Sequence, residues 1–293
     1  METLNNCPVC NAAETTPFLT CIDNTVSRET FNIVECSSCG FKYTNPRPEE
    51  SKLGDYYKSE EYVSHSNTKQ GFINSVYQIV RKYTLLKKFQ LISRQKKTGK
   101  ILDIGCGTGE FLKVFKDANW KTLGVEPDPD VRKIAIENYN LDIKEETEIK
   151  NFETGSFDVI TMWHVLEHVP RLNERIEDLK RLVKLDGIII IAVPNCDSFD
   201  AEIYKEFWGA YDVPRHLYHF SPKDINAIFK NHDLKVFRTL PMIFDSFYVS
   251  MLSEKIKTGK LNPIRALWNG FRSNLSAIKT GEKYSSQIYL IRK

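Results

Sequence analysis

The chain has 293 residues, 41% of them hydrophobic and 27% charged, with a net charge of +3, which suits one large domain with a small companion and excludes a disordered or fibrous chain. It contains no run of 18 apolar residues, so a membrane-spanning helix is not expected. Met1 to Asn6 lacks the basic and apolar regions of a secretory signal, and seven cysteines in such a chain imply a reducing, cytoplasmic setting where clustered cysteines bind metal.

The first element is a pair of C-x-x-C turns, Cys7-Pro8-Val9-Cys10 and Cys36-Ser37-Ser38-Cys39, separated by 25 residues. Four soft ligands at this spacing predict a structural zinc ribbon; the bland alternative is a redox-active or vestigial site. Between the pairs, Thr30 to Glu35 alternates like a strand, and Cys21 reads as an unpaired core residue. Asn45-Pro46-Arg47-Pro48 is a stiff linker. A tyrosine-rich stretch with Tyr56, Tyr57 and Tyr62 follows. Phe72 to Ile92 reads as a long amphipathic helix, with Phe72, Val76, Ile79, Tyr83 and Leu86 on its apolar face and Arg81, Lys82, Lys87 and Lys88 opposite.

From residue 100 strands and helices alternate, as in a parallel α/β sheet. Strands are predicted at 100–104, 121–125, about 141–144, 157–162, 187–193, 234–240 and 286–291, and helices at 109–118, 128–138, 172–184 and 222–231. Asp186-Gly187 predicts a turn into the unbroken apolar run Ile188 to Val193, a buried strand. The predicted organisation is a zinc-ribbon-like unit over 1–47, a linker and helical lid over 48–98, and an α/β domain over 99–293 with insertions near 195–221 and 244–284. Basic residues cluster: eight Lys or Arg and no acid from Lys69 to Lys97, and nine with one acid from Lys255 to Lys293. Such runs are either solvated helix faces or a basic rim that attracts an anionic acceptor.

The densest signal is Ile101-Leu102-Asp103-Ile104-Gly105-Cys106-Gly107-Thr108-Gly109-Glu110. A short apolar run opens into three alternate glycines and a helix start, a backbone that can approach a ligand closely. Glycines used for packing alone are the alternative. Glu126, 21 residues after Gly105, stands at the end of the second strand, where an acid can accept two ribose hydroxyls. The glycine spacing resembles motif I of the class I S-adenosylmethionine (SAM) methyltransferases, matched by Asp103, Gly105, Cys106, Gly107 and Gly109. The stretch Trp163-His164-Val165-Leu166-Glu167-His168 resembles the fourth-strand exit of the Methyltransf_11 and Methyltransf_23 type. The resemblance implies a Rossmann-like seven-stranded domain and SAM bound by the motif I residues, Glu126, Pro127, Trp163 and His164. His168 reads as helix packing or a cap.

Phe207 to Pro222, after the fifth strand, is rich in aromatics and histidines. Loops at strand ends often carry function, so His216 and His219 are candidate general bases, with Tyr218 and Arg215 placed to hold a hydroxyl or an acidic group. Packed, hydrogen-bonded histidines are the alternative. The order of parts also resembles the sugar C-methyltransferases, in which a histidine and tyrosines deprotonate a keto sugar beside SAM. Glu61-Tyr62-Val63-Ser64-His65-Ser66 is similar to their lid motif and His216 to their loop histidine. This chain is shorter, lacks their second C-terminal domain, and has Arg215 where they carry an acid. These resemblances imply methyl transfer from SAM to a small-molecule, carbohydrate or envelope-precursor acceptor, with His216, His219, Tyr218 and Tyr62 as catalytic candidates. An RNA or protein methyltransferase using the ribbon and basic helix, and a non-catalytic SAM-binding module, are the competing readings.

Overall fold

The computed structural model describes residues 1–57 and 72–293, with backbone alone over 72–78. Its strands are β1 (Thr15–Ile22), β2 (Thr30–Cys36), β3 (Lys42–Thr44), β4 (Lys100–Ile104), β5 (Lys121–Val125), β6 (Ile143–Lys144), β7 (Phe157–Trp163), β8 (Val183–Pro194), β9 (Tyr218–His219), β10 (Lys235–Pro241) and β11 (Ser286–Arg292). The helices are α1 (Phe72–Ser93), α2 (Glu110–Asp117), α3 (Pro129–Tyr139), α4 (Leu172–Leu182), α5 (Phe199–Tyr204), α6 (Pro222–Asn231), α7 (Asp245–Thr258) and α8 (Pro263–Thr280). A 3-10 turn covers Glu50–Tyr57.

The larger sheet has the order β10-β11-β8-β7-β4-β5-β6. β6, β5, β4, β7 and β8 are parallel, and β11 inserts antiparallel beside β8. This is the Rossmann-like seven-stranded architecture. Its strands are apolar on both faces because helices cover both. Leu102, Ile104, Ile160, Met162, Ile189 and Ile191 fill the face toward α4 and α6. Ile101, Val159, Ile190 and Leu290 fill the other, with Phe111 and Phe115 of α2 and Ile92 of α1. The chain reverses order at β4, so the ends of β4 and β7 open a crevice where ligands bind in such sheets.

Two helix starts are well made. Asp128 accepts from the amides of Asp130 and Val131 at the head of α3. Ser221 and Asp224 form a reciprocal capping box at α6, with Pro222 in the first turn. Each such cap contributes about 1 kcal/mol.

Two expectations need correction. Asp186 and Gly187 do not turn the chain between two elements. Phe157 pairs with Val183 and Val159 with Ile188, so these residues sit in an irregularity within one strand. The apolar stripe assigned to α1 faces outward at Ile79, Tyr83 and Leu86, while Leu85, Phe89 and Ile92 pack inward; Phe72 and Val76 lie outside the described side chains. The loop after β8 also reaches the ribbon. Its two-residue strand β9 pairs with β3, completing a second sheet of order β1-β2-β3-β9.

The excursion after β10 is a helix pair with an unusual interior. α8 buries Ala266, Asn269, Gly270, Ser273, Asn274 and Ala277. Gly270 lets the helices touch: a Cβ there would stand 2.7 Å from the Phe247 ring. Beneath them Asp200 accepts from Ser273 (2.6 Å), Ser285 (2.6 Å) and the Trp208 indole (2.8 Å).

Candidate active site

β4 delivers Asp103 into the crevice floor, where Thr161 Oγ1 donates to it at 2.5 Å. Burial raises its pKa to about 7, opposed by Thr161 and by the Lys88 ammonium. Beyond Ile104 the chain turns on Gly105, Gly107 and Gly109, all with positive φ. At Gly105 a Cβ would strike Val165 at 2.4 Å, whereas Gly107 faces open space. Gly107 therefore leaves room for a ligand against the backbone. Its amide donates to Glu126 Oε2 at 2.9 Å, and the Asp128 amide donates to Oε1 at 3.2 Å. Two amides thus hold the carboxylate at the lip of the crevice, and each oxygen retains a lone pair. Cys106 is buried under this loop, while Pro127 is exposed at the lip beside Glu126.

At the end of β7, Trp163 packs on Phe111, with Lys88 Nζ 3.9 Å from its ring centroid. Burial lowers the Lys88 pKa to about 8, with Asp103 and Asp245 opposing. Lys88, expected on the face opposite the apolar stripe of α1, on a solvated face or a basic rim, points inward to Trp163. His164, at positive φ, lies 3.1 Å from Asp245 and 3.6 Å from Glu167. Burial disfavours the imidazolium, but Asp245 and Glu167 outweigh it and raise the pKa to about 9. Glu167 is fully buried, and among the described residues neither of its oxygens receives a hydrogen bond. Burial favours its neutral form, yet the facing histidines keep its pKa below the usual range.

His168 and His216 meet edge to face, ring centroids 4.6 Å apart. His168 Nδ1 lies 2.9 Å from the Tyr57 hydroxyl and 3.1 Å from the Arg215 carbonyl. A carbonyl can only accept, so Nδ1 carries the proton and Nε2 keeps its lone pair. Burial, then the neighbouring His216, lowers its pKa to about 4. His216 Nδ1 similarly donates to the Ala210 carbonyl at 2.8 Å, and its Nε2 stands 4.0 Å from Asp212 Oδ2. Glu167, His168 and His216 bring one donor atom each within 4.8 Å of one another.

The remaining loop candidates are used internally. Tyr218 hydroxyl donates to the Pro170 carbonyl at 2.9 Å and accepts from Arg47 at 3.0 Å. His219 is buried with Nε2 3.1 Å from Thr44 Oγ1, and burial drives its pKa well below the ordinary value. Arg215 is fully buried, bonded to Asp212 (2.6 Å), Asp23 (3.1 Å) and the Tyr56 carbonyl (2.9 Å). Neither Tyr218 nor Arg215 is free to hold an acceptor, because these partners occupy both side chains. Tyr62 lies outside the described residues.

The four N-terminal cysteines converge. Cys7 and Cys39 sulfurs are 3.6 Å apart, Cys10 and Cys36 3.5 Å, and all four lie within 4.8 Å. Four thiolates around a tetrahedral zinc stand roughly 3.8 Å apart at normal bond lengths, so the donor set fits that ion. The turns are anchored to the large domain: Asn173 donates to the Pro8 carbonyl, Asn231 to Val9 and Lys223 to Cys39.

A family model described as a methyltransferase domain matches residues 77–239, more than half of the chain. The chain belongs to the class I methyltransferase family. An uncharacterized protein of Methanocaldococcus jannaschii is 29% identical over 157 residues, covering 54% of this chain and 75% of that one. A ubiquinone biosynthesis O-methyltransferase of Glaesserella parasuis is 32% identical over 107 residues, 33% of this chain and 45% of that one. Among solved structures, magnesium protoporphyrin IX methyltransferase of Synechocystis, with bound SAH, aligns at TM-score 0.56 and 14% identity, covering 84% of this chain and 100% of that chain. A SAM-dependent methyltransferase of Archaeoglobus fulgidus aligns at TM-score 0.50 and 21% identity, covering 73% and 94%. At these identities the solved structures share the fold.

In this methyltransferase the crevice fits SAM by its own chemistry. The open backbone at Gly107 leaves space, Glu126 offers two held acceptor oxygens, and the buried indole N–H of Trp163 has no partner among the described residues. Residues that sequence reasoning missed as site members are Lys88, Glu167, His168, Asp212 and Asp245. Glu167 and His168 carried a signal as part of the strand-exit motif, and Asp212 as part of the Phe207 to Pro222 loop; Lys88 and Asp245 come from elements whose facing is set by tertiary packing.

Proposed function

We propose that the chain is a SAM-dependent methyltransferase acting on a small organic acceptor, a carbohydrate or envelope precursor, with His216 as the group that takes the acceptor's proton. The observation that carries this reading is the row His164, Glu167, His168 and His216 beyond Trp163, in which Glu167 and His216 are buried and His164 and His168 are half-buried. Proton-accepting groups set this deep, with His216 buried, suit a small molecule or a slender group better than a folded macromolecule. The names of the ubiquinone O-methyltransferases agree with a small acceptor.

SAM, when bound, supplies a sulfonium-activated methyl group. Asp103, Gly105, Cys106, Gly107, Gly109, Glu126, Pro127, Trp163 and His164 would hold it, with Lys88 as a further charge at the crevice. The protein's remaining work is to align the acceptor, exclude water and remove one proton. His216 Nε2 carries the lone pair for that proton, and Asp212 and Glu167 stabilise the resulting imidazolium. Fixed Nδ1–H donation to Ala210 sets the tautomer. His219 sits beyond Thr44 and serves packing. The four cysteines would bind zinc structurally, since four thiolates leave no open position.

The test is methyl transfer from labelled SAM into fractionated cell extract, comparing wild type with His216→Gln. Label in a small, nuclease-resistant and protease-resistant fraction, lost in the variant while SAM affinity stays, supports the reading. Label in RNA or protein, or turnover that falls steeply with salt as phosphate contacts require, overturns it.

A further inference from the structure

α8 is amphipathic in the inverted sense. Its small and polar residues face the protein, and its large apolar residues face solvent. Ile264, Leu267, Trp268, Phe271, Leu275 and Ile278 recur at helical spacing along one outer stripe, with Ile264 83% and Trp268 60% exposed. The stripe runs the length of an 18-residue helix, about 27 Å. Ordinary surface helices do the opposite, and a contiguous apolar face of this extent marks a contact surface. It continues past α7: Phe244 stacks edge-on against Tyr83 of α1, itself flanked by exposed Ile79 and Leu86.

Charge indicates what covers it. Exposed Lys257, Lys260, Lys279 and Lys283 lie at the ends of the stripe, and the whole segment from Lys255 to Lys293 carries nine cations against one acid. Two copies of such a face would repel, whereas an anionic surface would be drawn to it. An apolar face bearing Trp, Phe and Leu beside Lys and Arg is the chemistry of a helix lying in a lipid interface. Among the described residues no helix is long and apolar enough to cross a membrane.

We propose that α8, with the adjoining edges of α7 and α1, docks this protein on an anionic lipid bilayer, α8 lying in the interface plane. The surface begins beside the active site, because Asp245 at the head of α7 holds His164. A bilayer seated there would lie beside the crevice mouth.

The test is co-sedimentation of the full chain with vesicles of phosphatidylglycerol or of phosphatidylcholine, with tryptophan emission recorded in parallel. Trp120 and Trp208 are buried and Trp268 is exposed, so insertion of α8 shifts emission to the blue. The expected result is at least about tenfold stronger binding to the anionic vesicles at low salt, weakened by added salt. Leu267→Glu and Phe271→Glu should each remove that binding while SAM affinity and the circular dichroism spectrum stay unchanged. Failure to bind anionic vesicles, or equal binding to both lipids, overturns the proposal. So does a dimer in solution that Phe271→Glu dissociates, which would assign the face to a second copy.

Discussion

Glu126 is oriented before any ligand arrives, since the Gly107 and Asp128 amides hold both of its oxygens. Glu126→Gln keeps the shape and loses the charge on which two hydroxyl donors of the proposed SAM ribose would depend. Hydrogen bonds to charged groups contribute about 1.5–3 kcal/mol, so SAM affinity by calorimetry should fall about tenfold to a hundredfold, with thermal stability little changed. Asp103 makes a pH prediction. Its folded pKa, about 7, lies above the ordinary aspartate value of 3.8. Between those values the folded chain holds a proton that the unfolded chain has lost. This residue's contribution to stability is therefore full below the lower value, declines as pH rises toward 7 and is flat beyond. Asp103→Asn should remove that part of the slope in thermal melts from pH 5 to 8. An identical slope in the variant would show that Asp103 does not titrate as described.

Among elements, the ribbon and the loop after β8 depend on each other. Arg215 of the loop is neutralised by Asp23 of the ribbon and by Asp212. Arg215→Met leaves buried Asp23 with only the Thr25, Val26 and Ser27 donors, which costs up to about 3 kcal/mol and should appear as a drop in melting temperature. Chelating the proposed zinc should increase hydrogen exchange at residues 212–219 and cut turnover, with SAM affinity retained; unchanged exchange there would mean that the ribbon does not brace the loop. The large sheet was legible in the sequence because its parallel strands are buried on both faces and read as apolar runs, Ile188 to Val193 most plainly. The glycine turn was legible because its backbone admits few other residues. β9 was not, since two residues carry no periodicity and its pairing partner lies 175 residues away. α1 was misread because its most regular apolar stripe is the exposed one. Lys88 faces inward only because Trp163 and Asp103 await it.

Over the whole molecule, two sheets share one folding unit. The ribbon is tied to α4, α6 and the loop through Asn173, Asn231, Lys223, Arg47 and Thr44. Release of the proposed zinc and loss of aromatic circular dichroism should therefore coincide on heating, as one cooperative transition. Two separated transitions would show that the ribbon melts alone.

The pairing of β3 with β9 also sets a timetable for synthesis. The cysteine turns leave the ribosome early, and nothing prevents them from gathering a metal while the rest is being made. Their sheet, however, lacks its fourth strand until residue 219 has emerged, by which time β4 to β8 have been translated. The exposed edge of β3 must wait through that interval. A nascent chain stalled before Tyr218 would present this edge to its neighbours, and one stalled after His219 would have covered it.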